Sequence, residues 1–183
     1  MAVHGFRRTA TGRIVLRVDD VEKGLLGLLL TQLEDFVAPE DPDPDADPLE
    51  ALVGMGGDGD RPEDPALARL FPDAYPEDDG ASEEFRRFTE TALREGKVAA
   101  ARTARATLEA SGEKVVLTAD QAQAWLGALN DLRLTLGTRL GVTEDAPDVL
   151  AGLPDDDPRA ATYHVYDWLT FLQDSLVGAL MPS

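Results

Sequence analysis

Cysteine is absent from the 183 residues of this chain. That gap excludes disulfides, thiol nucleophiles, Fe–S clusters, thiolate zinc sites and cysteine redox switches. Histidine is almost as scarce, with His4 near the start and His164 as the only imidazoles. General acid–base pairs and imidazole metal sites therefore have few candidates, and no HExxH, GxSxG, GxxxxGKS or GxGxxG pattern occurs. No apolar run reaches the roughly 18 residues needed to span a bilayer, and no signal-peptide apolar stretch accompanies Arg7 and Arg8. A soluble cytoplasmic protein is expected, with no membrane partner, no cofactor, no metal and no catalytic residues.

What is present is an ordinary apolar fraction, 43%, and a large acidic excess, with a formal net charge of −18. A chain of this length can bury about 70% of its unfolded surface in one domain. A single domain over residues 1–183 is therefore expected. The charge opposes approach to nucleic acid and anionic lipid. It is also concentrated: Glu34 to Asp79 holds 16 acidic residues against Arg61 and Arg69 alone. Within that span the stretches PEDPDPDADP (39–48) and GMGGDGD (54–60) cannot bury apolar surface. They define an acidic, Pro/Gly/Asp-rich flexible loop over 38–64, with helical turns expected at 49–53 and 66–71. Asp41, Asp43, Asp45 and Asp47 alternate as in a calcium loop, but Ala46 stands where the turn needs glycine and Leu52 where the bidentate glutamate belongs.

Periodicity predicts a mainly α fold: a bundle of about four main helices with a small antiparallel sheet, made of an N-terminal hairpin plus one short strand. Phe6–Thr9 and Arg13–Val18 read as the hairpin, turned at Thr11-Gly12, and Lys114–Leu117 as the extra strand. The first helix, capped by Asp19 or Asp20, runs to about Val37 and is so leucine-rich that a central position is expected. A long helix capped by Ser82 runs to about Ala110. Thr118 to Gln121 forms a capping box opening a third helix, which Gly141 ends, and Asp157-Pro158 starts the last.

The long helix holds the candidate binding residues. At 100° per residue, Arg86, Arg87, Arg94, Lys97, Arg102 and Arg105 share an arc of roughly 160°. Opposite them lie Phe85, Phe88, Ala92, Gly96, Ala99 and Ala106, the expected packing face. The basic arc is a candidate partner-binding stripe, suited to an acidic protein partner or to the chain's own acidic loop. Direct DNA contact is the lesser alternative, since no base-reading cluster accompanies the charges. In the third helix, Asn130 or Asp131 paired with Arg133 or Arg139 is expected to lock neighbouring helices. Trp125, Trp168, Tyr163, Tyr166 and Phe171 read as core or helix-contact residues.

Three segments, DPALARLFPDAY (64–75), LNDLRLTLGTRL (129–140) and VYDWLTFLQDSLV (165–177), resemble an actinobacterial family long carried as a domain of unknown function. Its better-described members are actinomycete oxidative-stress transcription regulators. The resemblance runs from about Arg13 to Leu180, with the acidic loop its most dissimilar part. It implies a non-enzymatic regulator acting through protein contacts with RNA polymerase or a sigma factor. The alternative is an adaptor or assembly protein serving proteolysis or sulfur metabolism.

The composition of the acidic loop generates the first prediction. Replacing Pro39 to Asp60 by a short Gly/Ser linker should leave the thermal midpoint within a few degrees, because the segment supplies charge and chain entropy rather than apolar burial. Loss of cooperative unfolding in a calorimetric scan would show that Leu49, Leu52 or Val53 docks in the core.

Overall fold

A computed structural model describes residues 4–39, 61–75, 77–142, 152–154 and 156–181. The Asp41–Asp47 run, the turn expected at 49–53 and most of the expected acidic loop lie outside these residues. The described part is mainly helical, with a small three-stranded antiparallel sheet.

Strands β1 (Arg7–Arg8) and β2 (Ile14–Arg17) form the hairpin, and Gly12 takes the positive φ of 78° that its turn requires. Strand β3 (Lys114–Leu117) pairs with β2 on the other side, with Ile14 opposite Leu117 and Leu16 opposite Val115. Alternation then does its work: Ile14, Leu16, Val115 and Leu117 are buried on one face, while Val116 is exposed. Three helices of the described residues lie between β2 and β3 in the chain, so the sheet ties the N-terminus to the middle of the sequence.

Helix α1 spans Asp20–Val37 and opens with a reciprocal capping box between Asp19 and Glu22. It stops at Val37, leaving Ala38 non-helical ahead of Pro39, whose ring disfavours a helical residue there. Helix α2 (Pro65–Leu70) starts from Asp64, with proline in the first turn where no amide donor is needed. Helix α3 (Asp79–Glu109) begins a turn earlier than expected. Its cap is Asp78, which accepts from the Ala81 amide at 3.0 Å. Ser82 instead is buried and exchanges hydrogen bonds with the backbone of Tyr75, donating to its carbonyl at 2.8 Å and accepting from its amide at 3.0 Å. Helix α4 (Ala119–Leu140) has the Thr118–Gln121 box at its start and left-handed Gly141 at its end, and α5 (Pro158–Leu180) starts from Asp157.

The helix with the widest set of neighbours is α4 rather than α1: α1, α2, α3, α5 and β3 all pack on it. The reason is sited at Trp125, which is fully buried. Its Nε1–H donates to Thr107 of α3 at 2.8 Å, and Phe6 meets its ring edge-on with centroids 5.6 Å apart. Leu169, Leu172 and Leu176 of α5 complete the core on the far side. The N-terminal segment is strapped to α5 where the Phe6 amide donates to Ser175 Oγ at 2.9 Å. Only glycine fits beside that contact, because a Cβ on Gly5 would stand 2.7 Å from Ser175 Cβ. No helix among the described residues is long and apolar enough to cross a membrane.

The buried indole makes a sharp stability contrast. Trp125→Ala should lower the unfolding free energy by about 3–5 kcal/mol, through lost burial and the cavity left behind. Leu28→Ala, on the exposed side of α1, should stay within about 0.5 kcal/mol of the parent in urea titrations.

Candidate functional site

The six basic residues do share one side of α3, but that side is the one the protein packs. Arg86 and Arg94 are buried, at 8% and 6% exposure. Arg86 pairs with Asp73, from the segment after α2, and reaches Glu90 one turn on at 3.6 Å. Arg94 bonds Glu90 through Nε at 2.8 Å and Nη2 at 2.7 Å, and its Nη1 donates to the Ala38 carbonyl at 3.1 Å. A cation placed there also meets the negative end of α1. The same guanidinium lies 4.7 Å from the centre of the Phe71 ring, and Lys97 Nζ lies 5.7 Å from it.

Lys97 donates to buried Asp131 of α4 at 2.7 Å. Farther along, Arg102 and Arg105 converge on Glu34 of α1 through their Nε atoms, at 2.5 and 3.3 Å, and Arg105 also holds Glu109 at 2.9 Å. Arg87 pairs with Glu83 at 3.1 Å. The expected stripe of six cations open to a partner is therefore corrected: Arg86 and Arg94 are inside, Lys97 and Arg105 are partly covered, and Arg87 and Arg102 reach solvent.

The expected packing face fares likewise. Phe85, Phe88, Ala92, Gly96, Ala99 and Ala106 are all exposed. The physical reason is partner supply. Carboxylates from α1, from the segment after α2, from α3 itself and from α4 lie where they can satisfy buried cations, and the aliphatic stems of arginine cover apolar surface on the way. Of these counter-charges, Glu90 was foreseeable from its i,i+4 spacing to Arg86 and Arg94. Glu34, Asp73 and Asp131 come from other elements, and no local pattern points to them.

The third-helix locks exist with different partners from those expected. Asp131 takes Lys97 rather than an arginine. Arg133 crosses to α5, donating to Thr170 Oγ1 at 3.0 Å and Gln173 Oε1 at 2.6 Å, with the Tyr166 ring 5.7 Å from its guanidinium. Arg139 donates to Asp64 at 2.6 Å, joining the end of α4 to the cap of α2. His164 is exposed beside Tyr163, and His4 lines an open concavity of about 500 Å³ with Arg17, Asp19, Asp20, Glu113 and Lys114. Among the described residues, no three His, Cys, Asp or Glu side chains are placed to hold a metal.

Titration follows these contacts. Hydrogen bonding from Arg102 holds Glu34 below the ordinary glutamate range, and that from Arg159 brings Asp157 down to about 2. Asp131 moves the other way: burial pushes its carboxyl up, against the opposing hydrogen bond and charge of Lys97. A folded-state pKa above the unfolded one makes Asp131 favour folding most at low pH, a contribution lost as pH rises through the folded value. Glu34 and Asp157 contribute with the opposite sign, losing their share as pH falls.

Comparison with known proteins places these joints in context. The model of the family described as "Domain of unknown function (DUF2017)" matches residues 3–180. A protein of Mycobacterium tuberculosis (strain ATCC 25618 / H37Rv) named "Oxidative stress regulator AosR" is 37% identical over 175 residues, covering 88% of this chain and 77% of that one. The protein of that name in Mycobacterium bovis gives the same values. One of Mycobacterium leprae, named "Putative oxidative stress regulator AosR", is 38% identical over 149 residues, covering 74% of this chain and 67% of its own. No solved structure matches the chain.

The Lys97–Asp131 pair yields a prediction with a defined pH sign. Lys97→Met should cost about 2–4 kcal/mol of stability at neutral pH, because a buried carboxylate loses its cation. The deficit should shrink at moderately acidic pH, where Asp131 takes up a proton, and urea titrations at the two pH values measure it. An equal deficit at both would show that the charge of Asp131 is not what Lys97 serves.

Proposed function

This chain belongs to the DUF2017 family, and from that premise we propose that it is a non-enzymatic regulator of the oxidative-stress-regulator type, working through protein contacts with RNA polymerase or a sigma factor. The observation that carries this reading is the extent of its similarity to a named regulator, which covers 88% of the chain rather than one motif. Charge favours protein over DNA as the contact: the net charge is −18, and the basic side of α3 is spent largely on internal ion pairs. A signal from oxidants would have to reach this member without a thiol, since the chain has no cysteine. Of the six basic residues on the arc, Arg87 and Arg102 are the two whose side chains extend far enough to meet an acidic partner, at 51% and 64% exposure.

Affinity purification of the tagged chain from native cells, with nuclease present, is the test. RNA polymerase subunits or a sigma factor should be recovered, and Arg87→Glu with Arg102→Glu should reduce the recovery several-fold while the thermal midpoint stays within a few degrees. Recovery of proteolytic or sulfur-metabolic enzymes alone, or of transcription proteins only when DNA is left intact, would overturn the reading.

A further inference from the structure

The outer face of the sheet gathers cations that the rest of the fold leaves unmatched. Arg7, Arg13, Arg17 and Lys114 are all exposed, and among the described residues none of them pairs with a carboxylate. The strand register sets them around Val15 and Val116, on the face opposite buried Ile14 and Leu16, and no strand residue of that face is acidic. Asp19, Asp20 and Glu113 line the concavity beside Arg17 and Lys114, yet none forms an ion pair with either. Arg17 and Lys114 also stand directly opposite each other, and like charges in a cross-strand pair are destabilising. The fold of a single chain gains nothing from that pair.

The same strand leaves its backbone open. The Val18 amide donates to the Glu113 carbonyl at 3.0 Å, so by antiparallel alternation Glu113, Val115 and Leu117 turn their main-chain groups toward β2, while Lys114 and Val116 turn theirs away. Those outward amides and carbonyls meet no hydrogen-bond partner among the described residues, and the Val116 side chain is 45% exposed.

We infer that this edge takes up an extended acidic segment of a partner protein as a fourth strand, with carboxylate side chains beside Lys114 and main chain paired to Lys114 and Val116. The edge offers donors and acceptors in alternation, which another strand matches and a phosphate backbone, bearing acceptors alone, does not. Charge narrows the choice further. Lysine on a free edge discourages strand addition in general, but it attracts an acidic strand, and an incoming carboxylate relieves the repulsion between Arg17 and Lys114. Arg7 and Arg13, farther across the face, add to the field that draws the segment in. The chain's own acidic stretch leaves from the wrong end of the molecule: the 18 residues of α1 carry Ala38 about 27 Å from the sheet by helical rise. Arg61, where the described chain resumes, is held by Asp73, which also pairs with Arg86 in the early turns of α3. This surface uses none of the residues offered above for the regulator's contact, so its test is independent of that reading.

The probe is a fluorescein-labelled nine-residue peptide alternating glutamate with threonine, titrated with the purified full chain and read by fluorescence anisotropy. Saturable binding is expected. Lys114→Glu should weaken it at least tenfold while the thermal midpoint holds or rises, because the introduced carboxylate faces Arg17. The same peptide N-methylated along its length keeps its charge, loses its main-chain donors and should bind at least tenfold more weakly. In NMR hydrogen exchange, the amides of Lys114 and Val116 should slow at least tenfold with peptide bound. No saturable binding, parental affinity in Lys114→Glu, equal affinity for the N-methylated peptide, unprotected amides at Lys114 and Val116, or tighter binding of a single-stranded DNA of equal charge would each overturn the inference.

Discussion

Arg94 ties three parts of the described molecule together. It bonds Glu90 on its own helix, the last carbonyl of α1 at Ala38, and the face of the Phe71 ring that follows α2. A buried guanidinium is costly unless nearly all its donors are matched, so its position requires the acid, the carbonyl and the ring to be in place together. Around it the pairs Arg86–Asp73 and Lys97–Asp131 extend the same logic to the segment after α2 and to α4. Apolar packing supplies the bulk of the driving force, through Trp125 and the leucines of α4 and α5. The ionic chain decides which faces of the helices meet.

That division explains how so acidic a protein folds. Glu34, Asp64 and Asp157 are held opposite arginines, where ionisation is favoured rather than tolerated. Asp131 is the exception, retained in a site whose burial works against its charge and made workable by Lys97. Of the basic residues, Arg86, Arg94, Lys97, Arg105, Arg133 and Arg139 are consumed in joining elements.

The three segments that carry the family resemblance turn out to be joints. The first supplies Asp64, Phe71 and Asp73; the second Asp131, Arg133 and Arg139; the third Tyr166, Thr170, Gln173 and Ser175. Their distinctive residues hold helices to one another.

Sequence alone determined the elements. Helical spacing, the Thr118–Gln121 box, Asp157-Pro158 and Gly141 set α4 and α5, and alternation set β2 and β3, because each of these signals acts between residues a turn or less apart. It also determined what the chain cannot do through a thiol. Which side of α3 packs inward was decided only by the tertiary structure. A helical wheel shows that one side is basic and the other apolar, and ordinary amphipathy points to the apolar side as the buried one. Here Glu34, Asp73 and Asp131, distant in sequence, converge to neutralise the basic side, and the free energy of burying paired charges depends on partners that no local pattern reveals.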